Sequence, residues 1–88
     1  MSRIIVTGAA GLIGGEVCAR LVAAGQRVTA LVHRNPEVRA NDGSEVAIAE
    51  AVPCDIRQDR LGLDAATFDR LAQAHDLVIH CAATIRFD

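Results

Sequence analysis

The chain has no lysine, no tyrosine and no tryptophan, and only two phenylalanines, in 88 residues. All nine of its basic side chains are arginine. Chemistry that depends on a lysine amine or a tyrosine phenol is therefore excluded from these residues. The shortage of aromatics means that the core must be aliphatic, and a hydrophobic share of 51% is enough to build one. No run of about 20 apolar residues exists, so no spanning helix is expected. The apolar stretch Ile4–Val6 gives way to Gly8–Gly15 too early for a signal peptide. The three cysteines, Cys18, Cys54 and Cys81, are odd in number and far apart. They fit neither a disulfide framework nor a zinc site and read as buried, reduced thiols, which makes the cytoplasm the expected compartment. A net charge of −2 provides no electrostatic footprint for nucleic acid or an anionic membrane. Asp55 and Asp59 are too poorly supported by neighbouring ligands to suggest a metal.

What is present is organised around Thr7-Gly8-Ala9-Ala10-Gly11-Leu12-Ile13-Gly14. This stretch follows an apolar run and opens a helical pattern, the order that a dinucleotide pyrophosphate requires. Gly8 allows a tight turn off the strand, Gly11 leaves the backbone bare for the phosphates, and Gly14 lets the helix pack closely on the sheet. The first helical turn then offers free N–H donors and about half a positive charge.

The remaining elements alternate. Residues 3–7 read as a central strand covered on both faces. Residues 12–24 read as a helix with Ile13, Val17 and Leu21 as its buried stripe, a Glu16–Arg20 pair on its wetter face, and Gly25 as a left-handed cap. Residues 27–32 form a second strand, with Val28, Ala30 and Val32 on one face and Thr29 and Leu31 on the other. Residues 33–45 carry turn signals at Asn35-Pro36 and Asn41-Asp42-Gly43 and at most a short helical turn. Residues 51–54 read as a third strand, and Pro53 places it at a sheet edge. Asp64 caps a helix over 65–74 with Phe68, Leu71 and Ala72 facing inward. Residues 77–81 form a fourth strand. His80 on this apolar strand reads as a hydrogen-bonded core histidine, and His33 and His75 as solvent-facing. The whole predicts an α/β fold: the N-terminal half of a doubly wound, parallel NAD(P)-binding Rossmann sheet with strand order 3-2-1-4. An uncovered fourth strand would be an aggregation hazard. The 88 residues are accordingly expected to be the first part of a longer chain, whose remainder is its partner. The sequence carries no reading of oligomeric state.

The position after the second strand distinguishes the two nicotinamide cofactors. His33-Arg34 stands there, with no carboxylate between Glu16 and Glu37. A cation suits the 2′-phosphate of NADP and a carboxylate the ribose of NAD, so NADP(H) is expected ahead of NAD(H), with Arg39 as a second contact.

At this point the motifs resemble the extended short-chain dehydrogenase/reductase family. The glycine loop resembles its T-G-x-x-G-x-x-G motif. Cys54-Asp55-Ile56 resembles its Gly-Asp-Leu/Ile segment, whose Asp approaches the adenine, although Cys stands where Gly is usual. His80-Cys81-Ala82-Ala83 resembles its His-x-Ala-Ala strand end, whose small residues line the adenine ribose. The resemblance covers nearly the whole chain and implies a cofactor-binding set of Gly8, Ala10, Gly11, Leu12, Ile13, Gly14, His33, Arg34, Asp55, Ile56, Cys81, Ala82 and Ala83. Leu61-Gly62-Leu63 and His80–Asp88 are further similar to fatty acyl-CoA reductases and thioester reductase domains. That branch implies NADPH-dependent reduction of an acyl thioester or carbonyl. Sugar-nucleotide epimerases and dehydratases share the other motifs, and a non-catalytic NADP-sensing module is a third reading. The family's Tyr-x-x-x-Lys pair has no counterpart here, so no catalytic residue is assigned, and Thr84 reads as a pocket or loop residue. Replacing the 2′-phosphate cation tests the cofactor reading. Arg34→Asp is expected to weaken NADP binding by about ten- to a hundredfold, from a charged contact of about 1.5–3 kcal/mol, and to shift preference to NAD. Unchanged NADP affinity in a titration would remove Arg34 from that role.

Overall fold

The computed structural model describes residues 2–33, 36–55 and 57–81. Four parallel strands form one sheet in the order β3-β2-β1-β4. These are β1 (Arg3–Thr7), β2 (Arg27–Val32), β3 (Glu50–Pro53) and β4 (Leu77–His80). β1 pairs with β2 from Arg3↔Arg27 to Thr7↔Leu31, and with β4 from Ile4↔Leu77 to Thr7↔His80. β3 pairs only with β2, ending at Val32↔Pro53, so the proline sits at an edge as its missing N–H requires.

The alternation of side chains along the two central strands creates two cores. Ile4, Val6, Val28, Ala30 and Val32 face the first helix, α1 (Leu12–Ala23), and cluster with Cys18 and Val38. Ile5 and Leu31 face the second helix, α2 (Ala65–Ala74), and cluster with Val52 and Leu71. The sheet is thus covered on both faces, which is why β1 and β2 need continuous apolar runs.

Both helices end where local chemistry dictates. Gly25, at φ +86°, lets the chain leave α1 in a left-handed turn. Gly25 N–H donates to Val22 O at 3.0 Å and Gln26 N–H to Leu21 O at 3.0 Å, satisfying two carbonyls of the last turn. The Asp64 carboxylate accepts the Thr67 N–H at 2.7 Å and starts α2 at the predicted residue.

Four details depart from the sequence reading, and a fifth agrees with it. Ile13 is 75% exposed, and the buried residues of α1 are Gly14, Gly15 and Cys18. The helix is rotated because its glycines, having no side chains, are what allow close approach. Between β2 and β3, the described residues form a loop with an isolated Arg39↔Glu45 bridge, in line with the turn signals there. Val38, Val46 and Ile48 from that loop cover the α1 face. A turn at Asp59–Gly62 carries no signal in the sequence; Arg60, Leu61 and Gly62 all have positive φ, at 51°, 59° and 69°. Leu61 offsets that backbone cost by packing against the α2-side cluster. His75 does not face solvent: it lies half-buried, bonded to Thr29 Oγ1 at 2.7 Å and Leu71 O at 2.8 Å. In α2, Leu71 is buried and Phe68 half-buried, but Ala72 is exposed.

Leu71 is the one fully buried α2 side chain that seals the second core. Leu71→Ala is expected to lower unfolding stability by about 2–3 kcal/mol in urea titrations, whereas a change at exposed Ala72 should cost much less.

Candidate dinucleotide-binding site

The parallel registers bring the carboxyl ends of all four strands to one edge of the sheet. β1 runs directly into the glycine loop there. Gly8 turns the chain at φ +66°, a conformation costly for any side-chain-bearing residue. Gly11 N–H donates to Gly8 O at 3.0 Å and closes the turn, and buried Ala9 N–H reaches Leu31 O on β2 at 3.4 Å. A Cβ on Gly14 would lie 2.1 Å from Gly8 O, so only glycine lets α1 fold back onto the turn. Gly14 therefore packs against the loop's own backbone rather than against the sheet, a correction of its expected role. Gly15 makes a second close approach that sequence reasoning missed: its Cβ would lie 2.1 Å from Arg39 O. The only available signal was a glycine following Gly14 in a helical pattern.

Gly11 is the N-cap of α1, with no side-chain cap and no acidic residue in the first turn. The first intrahelical bond is Gly15 N–H to Gly11 O at 2.8 Å. Helix geometry leaves the N–H groups of Leu12, Ile13 and Gly14 directed outward at the positive end of the helix dipole. The side chains of Leu12 and Ile13 are exposed around them, and Ala10 packs half-buried on the α1-side core. A bare backbone turn, free N–H donors and no competing carboxylate suit a pyrophosphate.

Strand order reverses between β1 and β4, the position where doubly wound sheets open a crevice. Thr7 ties that junction together. Its Oγ1 accepts the Cys81 N–H at 3.1 Å and bonds His80 Nδ1 at 2.7 Å, while Thr7 O accepts Cys81 N–H at 3.2 Å. Cys81 is thereby held against Thr7, the residue that precedes the glycine loop. His80 is hydrogen-bonded but lies exposed on an edge strand, so it is not a core residue.

At the other side, His33 is an exposed bend residue just after β2. Asp55 follows β3, and Cys54 N–H donates to Val32 O at 2.8 Å. Cys54 lies outside the positive-φ residues, so glycine's freedom is not needed there. The Asp55 carboxylate receives Arg57 N–H at 3.0 Å, Arg57 Nε at 3.1 Å and Gln58 Nε2 at 3.3 Å. The Arg57 guanidinium and backbone hold this carboxyl well below its usual range, at about 2, and His33 adds a smaller attraction. Because the folded value is depressed, this contact stabilises the fold above the ordinary carboxylate range and is lost only as pH falls toward 2. Asp55 is thus a turn organiser. Arg39, expected as a second phosphate contact, is instead engaged by Glu37 at 3.3 Å, Glu45 at 3.8 Å and Gly43 O at 3.0 Å. Arg34, Ile56, Ala82, Ala83 and Thr84 lie outside the described residues.

Cys18 is fully buried, and burial, with the Cys81 thiol adding to it, pushes its thiol up to about 11. Cys54 is raised in the same direction by burial. The described residues contain no group of three or more His, Cys, Asp or Glu side chains able to hold a metal ion. None of their helices is long and apolar enough to cross a membrane.

A parallel 3-2-1-4 sheet with a glycine loop between β1 and α1 defines a Rossmann-type nucleotide-binding fold. The chain belongs to the NAD dependent epimerase/dehydratase family, whose sequence profile matches residues 4–88. It is 37% identical over 86 residues to the hybrid PKS-NRPS synthetase phm1 of Pyrenochaetopsis sp, covering 96% of this chain and 2% of that protein. It is 30% identical over 98 aligned residues to the isonitrile lipopeptide synthase of Streptomyces coeruleorubidus, covering 94% of this chain and 7% of that one. Among solved structures, the NAD dependent NDP-hexosamine 5,6-dehydratase TunA, involved in tunicamycin biosynthesis, is similar with a TM-score of 0.61 and 30% identity. That alignment covers 98% of this chain and 25% of TunA. The extended short-chain dehydrogenase/reductase resemblance is therefore borne out.

The two inner glycines have separable effects. Gly11 has an ordinary φ of −79°. A Cβ there would lie 3.3 Å from Gly8 O, a tight but far milder approach than at Gly14, so Gly11→Val is expected to keep the fold, by far-UV circular dichroism, while abolishing dinucleotide binding. Gly14→Ala drives a methyl into Gly8 O and should cost stability as well, about 1–3 kcal/mol. Undiminished binding by Gly11→Val would reduce the loop to a plain turn.

Proposed function

We propose that these 88 residues are the NADP(H)-holding portion of an extended short-chain oxidoreductase that reduces an acyl thioester or carbonyl. The observation that carries the cofactor part is the glycine loop: an uncapped helix N-terminus behind a turn that only glycines can form. Leu12, Ile13 and Gly14 N–H groups hold the pyrophosphate, Gly11 admits it, and Cys81 with Ala82 and Ala83 borders the adenine ribose. His33 and Arg34 replace the carboxylate that would favour NAD. Bound there, the nicotinamide supplies hydride to a carbonyl carbon. The Tyr and Lys that handle the proton in this family have no counterpart in these residues, so no proton donor is assigned among them. The PKS-NRPS synthetases and the lipopeptide synthase among its relatives support the thioester branch. A sugar-nucleotide dehydratase is the second reading, favoured by the similarity to TunA.

Titration of the chain with NADPH and NADH is expected to show at least tenfold tighter NADPH binding. Equal or reversed affinities would refute the NADP assignment. For the reaction, a polypeptide carrying this segment should oxidise NADPH with an acyl thioester and release an aldehyde or alcohol. Turnover of a nucleotide sugar instead would install the dehydratase reading.

A further inference from the structure

The amino ends of the strands, opposite the glycine loop, hold a second feature. A cavity of about 310 Å³ is lined there by Arg3, Arg27, Thr29, Glu50, Arg70 and His75. Arg3 and Arg27 are direct register partners on β1 and β2, so their side chains stand abreast on the face that α2 covers. Like charges so placed repel. Among the described residues, neither guanidinium has a carboxylate within ion-pair distance. Asp76 accepts the backbone N–H of Arg3 at 2.9 Å and pairs with neither side chain. Arg70 is held in a two-pronged contact by Glu50, at 3.2 and 3.0 Å. Three arginines against one glutamate leave the cavity with a surplus of two positive charges.

The floor of the cavity is already satisfied. Leu71 O can only accept, so His75 Nδ1 carries the proton of that 2.8 Å bond. His75 Nε2 meets the Thr29 hydroxyl at 2.7 Å, and Thr29 is 3% exposed. Among the described residues, what remains without an ion-pair partner is the pair of guanidinium forks of Arg3 and Arg27.

We propose that this cavity binds an oxyanion, specifically the phosphate group of a small molecule, with Arg3 and Arg27 as its paired donors. Arginine forks match phosphate oxygens two at a time, and the anion removes the repulsion between them. Arg70, partly neutralised by Glu50, adds a third cation to the lining. The volume is at the lower end of small-molecule sites. The site is separate from the glycine loop: Arg3 and Gly8 stand at opposite ends of β1, about 16 Å apart along the strand.

Inorganic phosphate titrated into the 88-residue chain at constant ionic strength, with chloride as the balancing anion, tests this through backbone amide chemical shifts. Saturable shifts are expected at Arg3, Arg27, Thr29 and His75. Affinity should fall at least tenfold in the Arg3→Gln/Arg27→Gln double variant, whose exposed positions leave the core untouched. Affinity should rise severalfold in Glu50→Gln, which removes the cavity's carboxylate and frees Arg70. An identical response to chloride, shifts confined to Gly8–Gly14, or unchanged affinity in the double variant overturns the proposal. Unchanged or weaker binding by Glu50→Gln overturns it independently.

Discussion

The contact on which this molecule depends is the one between α1 and the Gly8 carbonyl. A side-chain carbon on Gly14 would lie 2.1 Å from that oxygen, well inside any tolerable separation. Because none is there, the helix starts immediately at the carboxyl end of β1. Its free N–H groups then point outward at the strand ends, beside the β1–β4 junction. Moving α1 outward by the width of a methyl group would separate the dipole from the strand ends and uncover the aliphatic core beneath Cys18.

A second consequence follows from the same closeness. Gly15 presents bare backbone to Arg39 O, so the β2–β3 loop lies directly on α1. Glu16 accepts the Asn41 N–H at 3.0 Å and strengthens that seat. The loop delivers Val38 into the core, replacing the helix that usually covers a parallel crossover. Arg39 is drawn into this structural task by its ion pairs with Glu37 and Glu45. Asp55 shows a similar double use, since Arg57 and Gln58 fold the turn around its carboxylate.

Much of this was legible. Apolar runs of period one or two placed β1 and β2, Pro53 placed β3 at an edge, and the Asp64 cap located α2 to the residue. The glycine spacing and the strand–loop–helix order marked the turn at the head of α1. Other features were not legible, because they depend on contacts between residues distant in sequence. The exposure of Ile13 depends on which face of α1 can approach a carbonyl. The left-handed run at Arg60–Gly62 violates local preference and is tolerated only because Leu61 reaches the second core. His75 reads as a loop residue until Thr29, 46 positions earlier, is brought beside it.

The sequence by itself determined the alternation of elements, the sheet order and the chemistry at the head of α1. Periodicity, caps and glycine spacing act over a few residues and do not need a partner. Only the tertiary structure decided which side chains the site retains. Thr7 became the tie between β1 and β4, Arg39 was withdrawn into its loop, and Arg3 and Arg27 were set side by side at the opposite edge. Those outcomes rest on strand register and on the closeness of two backbones, quantities fixed by packing the whole chain at once.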